Sequence, residues 1–323
     1  MFNKPTTRQI GIFLLKLCIA AALIYMVSLR VDGRLFLEIL SGLDPWYFAA
    51  ALFLMGIQIA VHIRLWSLVL WVNGIDLPPR RSAMILMFSL FLNQGLPSAL
   101  GGVGGRVYFT WRAGVPFGDS MSAALTERLV FIVSLIAICM VTLPYLHSLS
   151  GNSEIKAYSV FLICAAAAIP ILLLVAKGAR RIVRWEPLQL RLRAAAAACL
   201  RMMTQPFVAW RTLGLIMVYH GLSLAALWVL AVAVNTPVSP VASFVLTPHV
   251  LLLAALPITI NGWGVREVAM SAFLGIVGVS IENAIAVSVL FGIAVLFTRL
   301  PLGLIWFLPG AWQATSAHSN DEK

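Results

Sequence analysis

Runs of about twenty apolar residues recur along this chain, and such runs constrain folding more than any other feature. At 1.5 Å rise per residue, about 20 helical residues cross the roughly 30 Å hydrocarbon core of a bilayer. A helix also satisfies its own backbone hydrogen bonds there. Six candidate full spans are Ile10–Leu29, Trp46–Val72, Ser120–Leu143, Ala157–Ala176, Thr212–Val234 and Asn283–Phe307. Two further apolar stretches are interrupted. Ala83–Gly105 is broken by Gly95, Pro97 and later glycines, and Val241–Gly264 by Pro248, Pro257 and two glycines. Composition excludes a soluble domain: 61% of the 323 residues are hydrophobic and 11% charged, against about 25% charged in soluble proteins.

The reading is all-α: a polytopic integral membrane protein with eight hydrophobic segments in one transmembrane domain, 1–323. Six are full spans and two are re-entrant broken helices. Eight complete crossings remain the alternative. The first span follows Lys4 and Arg8, carries Lys16 and runs past the small residues Ala20–Ala22, which favours a retained helix over a cleaved signal peptide.

Net charge is +11, which in a soluble chain would suggest nucleic acid; here it marks one membrane face and no nucleic-acid partner is expected. The segment 177–211 holds eight basic residues and one acid, Glu186, and reads as a basic cytoplasmic connector. Working outward from it places the N-terminus, Arg80, Arg81, Arg106 and Arg112 on the cytoplasmic side. That arrangement requires Ala83–Gly105 to dip in and return. Within the connector, Leu188–Met203 mixes leucines and arginines, either as a solvated link or as an interfacial helix on anionic lipid. Four cysteines, Cys18, Cys139, Cys164 and Cys199, lie far apart without a CxxC, so neither disulfides nor structural zinc is expected.

The interrupted stretches repeat each other. Leu96-Pro97-x4-Gly102-x-Gly104-x-Arg106 recurs as Leu256-Pro257-x4-Gly262-x-Gly264-x-Arg266, with five identities in eleven positions at an offset of 160. Upstream, Leu65-Trp66-x-Leu68-x3-Val72-Asn73 recurs as Leu227-Trp228-x-Leu230-x3-Val234-Asn235. The sidedness argument turns the copies in opposite directions, giving an inverted repeat of about 46–143 and 212–307. In such architectures broken helices of the two halves meet near the midplane and form a substrate site. Glycines that only permit close helix packing are the alternative.

Charges within the apolar layer are expensive and need partners, a route to the interface, or water. Lys16, near one end of its helix, is read as snorkelling; Arg64 either does the same or faces the cavity. Arg106 and Arg266 each close a glycine-rich break, where free backbone N–H groups and a helix dipole would suit a phosphate. Glu127-Arg128 and Arg266-Glu267 are adjacent opposite charges pointing about 100° apart on a helix, so pairing across the halves is expected rather than within each pair. Asn93 and Asn261 could add neutral hydrogen bonds. Candidate substrate-binding residues are therefore Asn93, Pro97, Gly102, Gly104, Arg106, Glu127, Arg128, Asn261, Gly262, Gly264, Arg266, Glu267 and Arg299.

No catalytic or metal residue is assigned and no cofactor is expected. The chain lacks GxxxxGK[ST], HExxH and GxSxG. His62, His220 and His249 read as isolated, hydrogen-bonded residues of apolar stretches.

These motifs resemble the lysylphosphatidylglycerol synthase transmembrane region, a flippase-like family that includes the membrane half of the multiple peptide resistance factor. Asn93-Gln94-Gly95-Leu96-Pro97-Ser98-Ala99-Leu100-Gly101-Gly102 with Arg106 resembles the first motif, followed by Gly114 and Thr126-Glu127-Arg128-Leu129. Leu256 to Glu267 is similar to the second, and Arg299, Pro301 and Gly303 to the closing element. Val103 stands where the family usually carries an acid. The sequence stops soon after its last span, without the aminoacyl-transferring domain, so an enzyme is not expected.

The resemblance implies an all-helical, multi-pass bacterial inner-membrane protein linked to lipid translocation, and with the cytoplasmic N-terminus read from the basic residues the expectation is a flippase-like translocase. The lipid would be an anionic phospholipid, an aminoacyl-phospholipid or an isoprenoid lipid. A membrane scaffold or accessory subunit of lipid or glycan synthesis is the alternative, and a membrane-embedded transferase using Glu127 or Glu267 as base is a third. Oligomeric state is not legible.

Overall fold

The uninterrupted apolar runs fold as long helices and the glycine-rich ones as broken helices. The computed structural model describes residue 25 and residues 33–95, 99–149, 153–178, 186–256 and 262–307. The helices are α1 (Gly33–Ser41), α2 (Pro45–Val72), α3 (Pro79–Gly95), α4 (Gly105–Arg112), α5 (Phe117–Leu149) and α6 (Ser153–Gly178). They continue as α7 (Glu186–Thr204), α8 (Pro206–Ala233), α9 (Pro240–Ala254), α10 (Val265–Gly275) and α11 (Ile281–Arg299). No strand occurs among the described residues.

α2, α5, α8 and α11 (extended to Leu304) are long and apolar enough to cross a membrane. The 28 residues of α2 make a rod of about 42 Å, longer than the hydrocarbon layer. Expected spans Trp46–Val72, Ser120–Leu143 and Thr212–Val234 lie on α2, α5 and α8, with ends that differ by up to six residues. Ala157–Ala176 lies inside α6. Asn283–Phe307 is not one rod: α11 stops at Arg299 and a 3-10 stretch, Pro301–Phe307, follows. Most of Ile10–Leu29 lies outside the described residues, as do Pro97 and Asn261.

Helix starts follow the local chemistry. Asp44 caps α2 by accepting from Trp46 N at 2.8 Å, with Pro45 in the first turn. Ser239 caps α9 through Ala242 N, and Ser280 caps α11 through Asn283 N. Pro248, expected to break its stretch, is accommodated inside α9. The interruption falls after Ala254 instead.

A long helix, a shorter one, a break, a short helix and another long helix occur in that order twice: α2 to α5, and α8 to α11. The leading helices α2 and α8 share the largest interface of the bundle. Asp44 N donates to Ala233 O, Gln58 bonds to Ser223, and His62 packs on the Tyr219 ring. Residue numbers rise on one helix as they fall on the other, so α2 and α8 run antiparallel.

Both interrupted segments return to the end they left. Asn73, at the end of α2, bonds Thr126 in the third turn of α5, and Asp119 near the start of α5 meets Arg191 of α7. The described residues between Asn73 and Asp119 therefore begin and end at the end of the bundle that carries α7. In the second half Thr236, ahead of α9, bonds Asn283 at the start of α11. That loop re-enters from the opposite end.

Two apolar cores flank the middle of the bundle. One gathers Leu65, Trp66, Leu70, Ile85, Leu86 and Met202; the other gathers Met55, Leu227, Leu230, Leu246, Met270 and Leu290. α2 and α8 contribute to both. Their stretch between the cores carries Gln58, His62, Tyr219, His220 and Ser223, so the polar residues fall where the apolar packing is divided. α7 is more than a solvated link: Ala195, Ala198, Cys199 and Met202 are buried against the bundle.

Candidate functional site

Between the two cores lies a chamber of about 270 Å³. Arg106, Arg128, Arg266 and Arg299 all line it, with Gln58, His62 and Asn93. Gly102 and Gly262 from the two breaks also reach it, as do Tyr219 and Ser223 of α8. The two glycine-rich segments are thus neighbours around one space, although 160 positions separate them in sequence.

The first half presents Arg106 from the opening turn of α4. Its Nε lies 2.7 Å from Oε2 of Glu127 on α5, a close ion pair without the alignment of a good hydrogen bond. Oε1 of the same carboxylate accepts from His62 Nε2 at 2.7 Å. Glu127 is fully buried and Arg106 nearly so, which such charges tolerate only when paired. The guanidinium stands 5.8 Å from the centre of the Trp66 ring. Next in sequence, Arg128 turns away from Glu127 and donates to Ala255 O at 2.6 Å. This contact joins the first half to the break of the second.

The second half holds Arg266 differently. Nε donates to Ser288 Oγ on α11 at 3.0 Å, Ser288 Oγ donates to Glu267 Oε1 at 2.8 Å, and Arg266 Nη2 donates to that same oxygen at 3.1 Å. Glu267 Oε2 accepts from Gly264 N at 2.5 Å. Trp263 and Phe291 flank the guanidinium at 4.9 and 5.5 Å. Both arginines thus reach forward onto the following long helix: the first finds a carboxylate there, the second a hydroxyl backed by its own neighbour's carboxylate.

Two expectations are corrected. Arg266 and Glu267 do bond each other, because the long guanidinium arm bends across the 100° between adjacent helical positions and Ser288 locks the bend. Carboxylate pairing is therefore within each half, not across them. Fewer backbone N–H groups than expected are also free beyond the breaks: Arg266 N–H, for one, donates to Gly262 O. In the first half a π-helical stretch, Ala99–Gly104, runs directly into α4, and in the second the Gly264 N–H is taken by Glu267.

The matched glycines serve different backbones. Gly262 and Gly264 have φ of +79° and +84°, a region that side-chain-bearing residues rarely enter. A Cβ on Gly262 would also stand 3.1 Å from Ala254 O. Gly104 is ordinary right-handed helix, and Gly102 matters by proximity: a Cβ there would lie 2.9 Å from Asn93 Oδ1.

Arg299 lines the chamber from the end of α11 and makes no hydrogen bond or ion pair among the described residues. Among the described residues, four guanidinium groups face two carboxylates here, leaving two positive charges uncompensated. Arg64, left open between interface and cavity, is exposed and does not line the chamber. Sequence reasoning missed His62, Gln58, Tyr219 and Ser288. His62 looked like a lone histidine because its partner Glu127 is 65 positions away, and nothing local signals that pairing. The other two histidines do read as hydrogen-bonded residents: His220 bonds Ser134, and His249 bonds Thr142 and Tyr158.

A helical bundle with two broken segments around an arginine-lined chamber, and four helices long and apolar enough to cross a membrane, defines a polytopic membrane protein. The chain belongs to the family described as Lysylphosphatidylglycerol synthase TM region, which it matches over residues 13–303. It is therefore a membrane protein tied to lipid metabolism. No curated protein matches it.

Proposed function

We propose that this chain is a flippase-type translocase that moves an amphiphile with an anionic or aminoacylated head group across a bacterial inner membrane. The observation that carries the reading is the convergence of four arginines from both halves on one chamber with two positive charges to spare. Carrying a phosphate through hydrocarbon is prohibitive unless fixed cations and dipoles replace its water. Arg299 and the outward N–H groups of Arg106 and Arg266 offer such replacement. Glu127, Ser288 and Glu267 hold the arginines in place, and Asn93 and Gln58 add neutral partners.

The tails need not enter: they remain in the bilayer while the head passes. Antiparallel α2 and α8 supply the seam on which one half would rock against the other, exposing the chamber to each face in turn. The N-terminus and α7 are cytoplasmic in this scheme. The chain binds and neutralises; it performs no covalent chemistry and needs no cofactor.

The test is reconstitution of the full chain in vesicles carrying head-group-labelled anionic, zwitterionic, aminoacylated or isoprenoid lipid. Faster transbilayer movement of an anionic or aminoacylated species, lost in Arg106→Ala and Arg266→Ala, is the expected result. No acceleration for any lipid sinks the proposal. Arginine variants that keep cellular function, with changes in α7 that abolish it, would point to a scaffold instead.

A further inference from the structure

A second pocket of about 320 Å³ lies against α5, the end of α7 and the first turns of α8. Its walls are almost wholly apolar: Val130, Val133 and Ala137 on one side, Met202, Trp210 and Met217 on the other. Two residues interrupt them: Ser134, which is hydrogen-bonded to Phe131 O and His220, and Thr212, whose Oγ1 is buried and has no hydrogen-bond partner among the described residues. An unpaired buried hydroxyl costs stability and calls for an acceptor. Trp210 is 72% exposed and Met217 40%, so the pocket opens outward on the apolar flank of the bundle.

This pocket and the cationic chamber lie on neighbouring faces of the same two helices. On α5, Arg128, Phe131 and Leu135 face the chamber while Val130, Val133 and Ala137 face the pocket. On α8, Tyr219 and His220 face the chamber while Ile216 and Met217 face the pocket. α5 and α8 touch only slightly. The hydrogen bond across their seam joins Ser134, which lines the pocket, to His220, which lines the chamber, at 3.0 Å.

We propose that this pocket seats an acyl chain of a bilayer lipid, and that the α5–α8 seam is the lateral entrance by which that lipid's head group reaches the arginines. This rests on the translocase reading and names its tail subsite. The apolar walls take the chain, the flexible methionines adapt to its shape, and Thr212 donates to the ester carbonyl at its head. Opening the seam costs the Ser134–His220 hydrogen bond and the contacts of the Phe131 ring with Tyr219 and His220.

The full chain is reconstituted in phosphatidylethanolamine vesicles containing phosphatidylglycerol with a photoactivatable group on one acyl chain, and adducts are mapped after irradiation. Adducts concentrated on Met202, Trp210 and Met217, relative to exposed Val141 and Val160, are expected. Ala137→Trp, at an exposed wall position, fills the pocket and lowers those adducts about tenfold, the worth of one buried aliphatic group. Thr212→Val, of equal shape, lowers them severalfold. Even labelling of all exposed positions, or adducts unchanged in both variants, overturns the pocket. Since labelling needs no transport, concentrated adducts without lipid movement would leave the pocket standing and remove the translocase. Lipid movement with even labelling would do the reverse.

Discussion

Glu127 on α5 receives Arg106 on one carboxylate oxygen and His62 on the other, each at 2.7 Å, with the carboxylate wholly buried. Three separate helices are tied at one point beside the chamber. Losing one partner of a buried pair leaves an uncompensated charge, which costs about 3–5 kcal/mol, whereas losing both is far milder. Glu127→Ala is therefore expected to lower the melting temperature of the detergent-solubilised protein sharply. Arg106→Met with Glu127→Leu should recover most of that loss and still fail to move lipid. A double variant that is stable and active would show that the pair only braces the fold.

Arg299 stands in a different position, with no partner among the described residues to strand. Arg299→Ala should leave thermal stability nearly unchanged, as substitutions away from packed or paired groups do. If its guanidinium meets a phosphate, affinity for an anionic head group falls about tenfold, the worth of one charge-assisted hydrogen bond. Lipid binding in nanodiscs at moderate salt, beside a melting curve, separates the two effects. Lower stability with unaltered binding would make Arg299 a structural anchor.

The sequence shows the helices because apolar length and backbone satisfaction are local requirements, and it shows the two breaks because glycine and proline act locally. The positions of Arg106, Arg128, Arg266 and Arg299 around one space follow from the repeat and from the antiparallel leading helices, both legible in outline. What holds each arginine is not legible. Arg106 finds Glu127 and Arg266 finds Ser288 at nearly equal spacing, yet one partner is an acid and the other a hydroxyl. Nor does identity of motif give identity of backbone: Gly104 is helical and Gly264 left-handed. Packing of the neighbouring helices decides both, and no single segment encodes it.

Arg191 and Asp119 lie as close as the buried pair, at 2.7 Å, but their side chains are 36% and 47% exposed. Water screens such a pair and ordering two side chains offsets its attraction, leaving at most about 1 kcal/mol. Asp119→Asn should therefore shift the melting temperature by no more than a few degrees and leave lipid movement intact. A large loss of either would show that the α5–α7 contact does more than its exposure suggests.

Gly292 on α11 lies beneath the second arginine. A Cβ there would meet Arg266 Nη2 at 2.6 Å and the Trp263 ring at 2.7 Å, so both side chains must shift. Alanine also favours a helix interior by about 1 kcal/mol over glycine, which offsets the cost of that displacement. Gly292→Ala is expected to fold with a melting temperature close to the parent's while moving lipid several times more slowly, because the guanidinium leaves its place beside Ser288. Ser288→Ala should slow movement in the same direction by loosening the same arginine. If Gly292→Ala instead melts early and the surviving protein transports at the parent rate, the position of Arg266 is set by packing needs alone and has no part in handling the head group.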